Sequence, residues 1–216
     1  MKYLRLFAFL LLAMLVVSSV MAEEIAEEVQ LFDGQSFDGW EGDIEDTWRI
    51  ENGTLTAGSL EKEAARNEFL STKQVFRNFD LKLKYKIIGD HKINAGVQFR
   101  TKRIPDHHEV IGFQADISPA FDGNLYDESR RRKFLAKPQE TLRKKAQAAV
   151  GADGWNTYRI LAEGNRIQIW LNGVQTVDYT ETDESIESSG IIAVQIYAGM
   201  RGTISYKDLV LRPLAD

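Results

Sequence analysis

Cysteine is absent from the 216 residues, which excludes structural disulfides and the acylated cysteine of a bacterial lipoprotein. Proline occurs only four times and no linker-like tract is present, so nothing divides the chain into domains. There is no internal repeat, no Ser-His-Asp or Cys-His arrangement and no glycine-rich phosphate loop. Long apolar runs are scarce too, and the exception lies at the start. Lys2 and Arg5 precede an unbroken apolar stretch over residues 6–17, followed by Ser18-Ser19-Val20-Met21-Ala22, the pattern of a secretory signal peptide. The stretch is shorter than the roughly 20 apolar residues that span a bilayer. Residues 1–22 are therefore expected to be removed, leaving a mature start near Glu23, no stable membrane anchor, and export to a bacterial periplasm or the cell exterior. Losing Lys2 and Arg5 takes 27 basic residues to 25 against 32 acids, a balance of about −7 that argues against nucleic acid as a partner.

Residues 23–216 are expected to form one all-β domain. Asn52-Gly53 and Asn172-Gly173 each sit between alternating segments, which predicts two tight hairpins with positive φ at the turn. Residues 79–87 alternate apolar and polar side chains without a break, giving one buried face and one face of lysines. Further strands are predicted at 155–162, 190–197 and 203–211, and many short antiparallel strands imply a sandwich. Residues 138–150 are rich in Lys, Gln, Glu and Ala, which predicts a short surface helix or ordered loop serving as a connector.

Strand parity then singles out a polar face, because successive side chains point to opposite sides. In 94–100, Val97 and Phe99 face the core while Gly96, Gln98 and Arg100 face away; in 112–117, Phe113, Ala115 and Ile117 leave Gln114 and Asp116 opposite; in 191–197, Val194 and Ile196 leave Gln195 and Tyr197. Amides, carboxylates and guanidinium groups suit sugar hydroxyls, each of which both donates and accepts, and aromatic rings cover the apolar faces of pyranoses. The charged segment 123–131, read as a loop, adds Tyr126, Glu128, Arg130 and Arg131. Glu68 reads equally as a pocket residue or an exposed edge. Trp40, Trp48 and Trp155 read as core, and Trp170 as an exposed platform for a sugar. His107-His108-Glu109 and the acids Asp43, Glu45 and Asp46 read as solvated turns rather than metal sites.

The order and spacing of several segments resemble the 3-keto-disaccharide hydrolase family over nearly the whole mature chain. They are Leu31-Phe32-Asp33-Gly34 through Gly39-Trp40, Trp48-Arg49-Ile50-Glu51-Asn52-Gly53, Glu68-Phe69-Leu70-Ser71-Thr72, Asn94-Ala95-Gly96-Val97-Gln98-Phe99-Arg100, Trp155-Asn156-Thr157-Tyr158 and Trp170-Leu171-Asn172-Gly173. Residues 112–117 and 123–131 look like one subgroup. The resemblance implies a concanavalin A-like jelly-roll sandwich of two antiparallel sheets and cleavage of glycosides oxidised at C3, with a carbohydrate carrying such a ketone as the partner. On that footing Asp116 is the expected base with Glu128 and His108 behind it, and Arg100 and Gln114 hold the developing oxyanion or ring hydroxyls. Glu68, Gln98, Tyr126, Arg130, Arg131, Trp170, Gln195 and Tyr197 frame the substrate. No cofactor is required, although a divalent cation could assist as a Lewis acid. Many members place histidine where this chain has Tyr197, and a phenol titrating near 10 is a poorer neutral-pH base than an imidazole near 6.5. A non-catalytic carbohydrate-binding domain on the same sandwich is the alternative.

Overall fold

The computed structural model describes residues 27–90 and 92–215, so the signal-peptide segment lies outside the described residues. Two antiparallel sheets pack face to face. The larger runs in the order β13 (Val174–Thr180), β12 (Arg166–Leu171), β11 (Asn156–Glu163), β6 (Phe79–Gly89), β15 (Gly202–Pro213), β4 (Thr54–Ser59) and β3 (Trp48–Glu51), with β1 (Val29–Gln30) pairing β15. The second runs β10 (Lys133–Ala136), β9 (Leu125–Glu128), β8 (Val110–Ile117), β7 (Ala95–Arg103), β14 (Ile191–Ile196), β5 (Glu68–Thr72) and β2 (Trp40–Glu41). This is the all-β sandwich expected from the strand pattern, in the two-sheet jelly-roll form that the resemblance implies.

The alternation in β6 explains its central place. Phe79, Leu81, Leu83 and Tyr85 are buried between the sheets while Lys82, Lys84 and Lys86 look out. Facing residues of the second sheet complete the core, with the Phe79 and Phe99 rings edge to face at 6.3 Å and Phe99 stacked on Phe113 at 5.8 Å. Both hairpin turns form as their Asn-Gly pairs require: φ is 51° at Asn52 and 74° at Gly53, and 49° at Asn172 and 77° at Gly173. Trp40 and Trp48 are core residues, but Trp155 is only half-buried and lies under the Lys207 ammonium, 4.1 Å from the ring centroid.

The connector becomes helix α1 (Glu140–Ala148). Its buried Arg143 donates to the Ala120 carbonyl at 2.7 Å and to Asn124 Oδ1 at 3.2 Å, pinning the helix on the 118–124 turn. Residues 123–131 are not wholly a loop, because β9 and β10 form a hairpin at the sheet edge. Parity missed it because Asp127, a charged residue, occupies an inward position opposite Phe113. Its fully buried carboxylate accepts from Arg130 at 2.9 Å and from Arg131, which removes the cost of placing it there.

Candidate active site on the outer face of the second sheet

Register fixes which side chains share the outer face of the second sheet. Gly96 stands opposite Asp116, Gln98 opposite Gln114, Gln114 opposite Tyr126 and Gly112 opposite Glu128. On the other side of β7, Gly96 stands opposite Gln195. Four strands, β7, β8, β9 and β14, thus bring Gln98, Gln114, Asp116, Tyr126, Glu128 and Gln195 to one patch. Gly96 keeps it open: a Cβ there would come within 2.7 Å of the Gln114 Cδ, so only glycine lets the Gln114 side chain lie across β7.

A directed chain of hydrogen bonds runs along this face. Gln98 Nε2 donates to Gln114 Oε1 at 2.6 Å, and Gln114 Nε2 donates to Asp116 Oδ1 at 2.7 Å. The other atoms end without partners among the described residues: Asp116 Oδ2, Gln98 Oε1 and both amide atoms of Gln195 are buried and unbonded. Buried polar groups are nearly always paired, so four free atoms on one patch mark a place where a polyhydroxylated ligand can be met. Burial pushes the Asp116 carboxyl, 4% exposed, up to about 7; the Gln114 bond opposes that rise, and the charges of Glu128 and Asp122 add to it. The Glu128 carboxyl is also raised, by burial first and then by Glu109, and the Tyr126 phenol by burial and then by Glu128 and Asp116.

Two tyrosines of the larger sheet hold this patch from beneath. The Tyr206 hydroxyl crosses the core to donate to the Gly96 and Gln195 carbonyls at 3.1 and 2.9 Å. The Tyr158 hydroxyl donates to the Asp116 carbonyl and accepts from the Gly123 amide at 2.8 Å. Both phenols are fully buried and titrate far above their ordinary range because burial disfavours the phenolate, so they remain donors. The hairpin between β7 and β8 closes one rim. Asn67 donates to Glu109 Oε1 at 2.9 Å, and its carbonyl lies 2.8 Å from His108 Nδ1. Tyr197, 41% exposed, borders the same side, near Tyr126.

Several expected members are elsewhere. Arg100 does not converge with Gln114 and Asp116. One extra residue in β7 between Phe99 and Lys102 makes a bulge, Arg100 takes φ 46°, and its parity is lost. Its guanidinium bonds instead to the Arg77 and Gly164 carbonyls at 3.0 and 2.8 Å and to Asn78 Oδ1 at 3.2 Å, joining the two sheets at one end. Burial, and then the charge of Arg77, lowers it to about 10. Arg130 and Arg131 turn to the core side with Asp127, and Arg131 continues to Glu181 at 2.6 Å. Burial alone would raise Glu181, but the Arg131 bonds hold it down at about 2. Glu68 is opposite Ile196, on the reverse side of β5, and accepts from Arg66 at 2.5 Å. Trp170 lies on the outer face of the larger sheet, under the Arg159 guanidinium at 4.6 Å.

The guanidinium whose charge is felt at the site is Arg132, which opposes the rise at both Glu128 and Tyr126. Sequence reading passed over it because one run of four basic residues gives no sign of which one turns outward. Position decides: Arg132 follows the β9 turn with φ 52° and its amide bonds to the Asp127 carbonyl at 2.9 Å. Among the described residues no cluster of three His, Asp or Glu side chains has metal-binding geometry. Asp43 caps its own turn through the Asp46 amide and the Thr47 hydroxyl, at 3.1 and 2.8 Å. Among the described residues no helix is long and apolar enough to cross a membrane.

Similar folds occur among solved structures. A proposed glycosyl hydrolase of Parabacteroides distasonis superposes with a TM-score of 0.62 at 16% identity, over 87% of this chain and 94% of that one. A carbohydrate-binding module of Bacillus subtilis gives 0.60 at 14%, over 81% and 95%. A β-glucanase of Bacillus licheniformis gives 0.56 at 9%, over 88% and 98%. At these identities the likeness is one of fold. No curated protein matches the sequence significantly. The model of the 3-keto-alpha-glucoside-1,2-lyase-like domain, however, matches residues 27–212, nearly every residue of the sandwich, and the chain belongs to that family.

Proposed function

We propose that this protein cleaves glycosides whose sugar ring carries a ketone at C3, using Asp116 as the base. The ketone acidifies the hydrogen on C2. Asp116 Oδ2 takes that proton, the electron pair passes into the C2–C3 enolate, and collapse of the enolate re-forms the ketone, makes a C1–C2 double bond and expels the aglycone oxygen from C1. Water added across that double bond would complete a net hydrolysis. Gln98, Gln114 and Gln195 hold ring hydroxyls, Arg132 and Tyr126 lie on the side where the enolate oxygen gathers charge, and Glu128, its carboxyl raised by burial, serves the leaving oxygen. The carrying observation is the Asp116 carboxyl: one oxygen fixed by Gln114, the other buried and unpartnered, its proton affinity set near neutrality. A base with a pKa close to the working pH combines ionisation with affinity for the proton.

Family membership supports the reaction class. The sandwich by itself does not discriminate, since proteins described as a hydrolase and as a binding module share it. The test is release of a chromogenic aglycone from a 3-keto-glucoside by wild type and by Asp116→Asn, with and without chelator. Turnover lost in the variant supports the reading; saturable binding without release by the wild type would leave a carbohydrate-binding protein instead. The proposal includes export of a single domain from Glu23 onward, resting on the signal-peptide pattern of residues 1–22. N-terminal sequencing of the secreted form checks it.

A further inference from the structure

The outer face of the larger sheet, on the far side of the sandwich from Asp116, carries a second polar surface of different character. Trp170 stands opposite Arg159 on the neighbouring strand, and Arg159 opposite Lys82 on the next. One step along β6, Lys84 stands opposite Lys207. Two cross-strand pairs are therefore like-charged, an arrangement that destabilises a sheet unless counter-charge is supplied. Local acids answer this only in part. Asp80 is buried and taken up by Arg159 at 2.8 Å and Arg212 at 3.3 Å, Asp208 pairs with Lys84 at 2.9 Å and Glu28 lies 4.0 Å from Lys82, while Lys207 has no carboxylate partner among the described residues. A cleft of 570 Å³ opens at this place, with Lys82, Lys84, Thr157, Arg159 and Trp170 along it and Asp208, the partner of Lys84, as its one acid. That size suits a ligand-sized group.

We propose that this face binds an acidic polysaccharide, one bearing carboxylate or sulfate groups, independently of the Asp116 site. The chain as a whole is acidic, with 32 acids against 27 basic residues, so a basic row beside an indole is a local feature and not general attraction for polyanions. Arg159, held in place by Asp80, and Lys82, Lys84 and Lys207 give anion contacts on neighbouring strands, and the half-buried Trp170 indole offers a flat edge for a sugar ring. A cleft with an aromatic wall fits a glycan better than a flat lipid surface.

The experiment is affinity electrophoresis of the full chain in gels holding polygalacturonate or neutral dextran, alongside sedimentation with vesicles containing one quarter phosphatidylglycerol. Retardation by polygalacturonate alone is expected, weakened at least tenfold by Lys82→Glu combined with Lys207→Glu, and also by 0.5 M salt. Lys82 is exposed and Lys207 half-buried over Trp155, and both lie on the face away from Asp116, so a folded double variant keeps its 3-keto-glucoside turnover, and Trp170→Ala gives a second loss through a different contact. Absence of retardation at low salt, equal retardation by dextran, indifference to the charge reversals, or tighter sedimentation with vesicles than binding to polygalacturonate would each overturn the proposal.

Discussion

Replacing Asp116 by asparagine removes a carboxyl that the fold holds at a cost. In the unfolded chain the group titrates at its ordinary 3.8, while in the folded protein burial raises it to about 7. Below pH 3.8 both states are protonated and the site is neutral in the balance. Between those values the folded state keeps a proton that the unfolded chain has released, so stability falls as pH rises, by about 1.4 kcal/mol per unit. By pH 8 the accumulated penalty is on the order of 4 kcal/mol. Asparagine is nearly isosteric, its Oδ1 still accepts from Gln114 Nε2, and it carries no charge to desolvate. The variant is therefore expected to match the wild type near pH 4 and to exceed it at pH 8 by several kcal/mol, on the order of 10 °C in midpoint for a domain of this size. Urea or thermal unfolding of both proteins at pH 4, 6 and 8 measures this. The other raised carboxyls, Asp122 and Glu128, are common to both proteins and enter the difference only through their repulsion of the Asp116 carboxylate, which acts in the same direction. Parallel curves with a pH-independent offset would refute the reasoning, because the carboxyl would then titrate normally and could not be buried as described.

Three further outcomes follow from the geometry. Tyr158→Phe removes the donor to the Asp116 carbonyl and the acceptor for the Gly123 amide, at a cost of about 1–3 kcal/mol, and turnover should fall while the core remains packed; equal activity in a steady-state assay would mean that Asp116 needs no support from below. Gly96→Ala puts a methyl group where Gln114 lies and should raise KM for a 3-keto-glucoside at least tenfold with the fold retained by circular dichroism; unchanged KM would remove the Gln98–Gln114 chain from binding. Arg131→Met should cost about 2 kcal/mol in urea unfolding, because Glu181 loses its cation and Asp127 keeps only Arg130, yet leave KM untouched, whereas a rise in KM without loss of stability would return Arg131 to the site.

Much of this was legible in side-chain alternation. Gln98, Gln114, Asp116 and Gln195 were placed on one face from parity alone, and the register of β7, β8 and β14 puts them there. Both Asn-Gly hairpins were equally plain, because few other pairs tolerate two positive φ values in succession. Arg100 was misplaced for a specific reason. Parity assumes an uninterrupted ladder, and the bulge after Phe99 inserts one residue that nothing in the local composition announces. Gly112 is its structural counterpart, since a Cβ there would come within 2.6 Å of Thr101, but a single glycine in a strand is a weak signal. Arg130 and Arg131 were misread because their attraction to the buried Asp127 depends on β9 existing at all. Tyr158 and Tyr206 could be read only as core aromatics, since the carbonyls they reach belong to strands of the other sheet.

The most direct measurement is the pH dependence of aglycone release from a chromogenic 3-keto-glucoside by wild type and Asp116→Asn. If Asp116 is the base, kcat/KM climbs as the carboxyl ionises and levels off above a value near 7, and the folded asparagine variant loses at least a hundredfold at every pH. A variant that releases aglycone at the wild-type rate, along the same profile, would contradict the account.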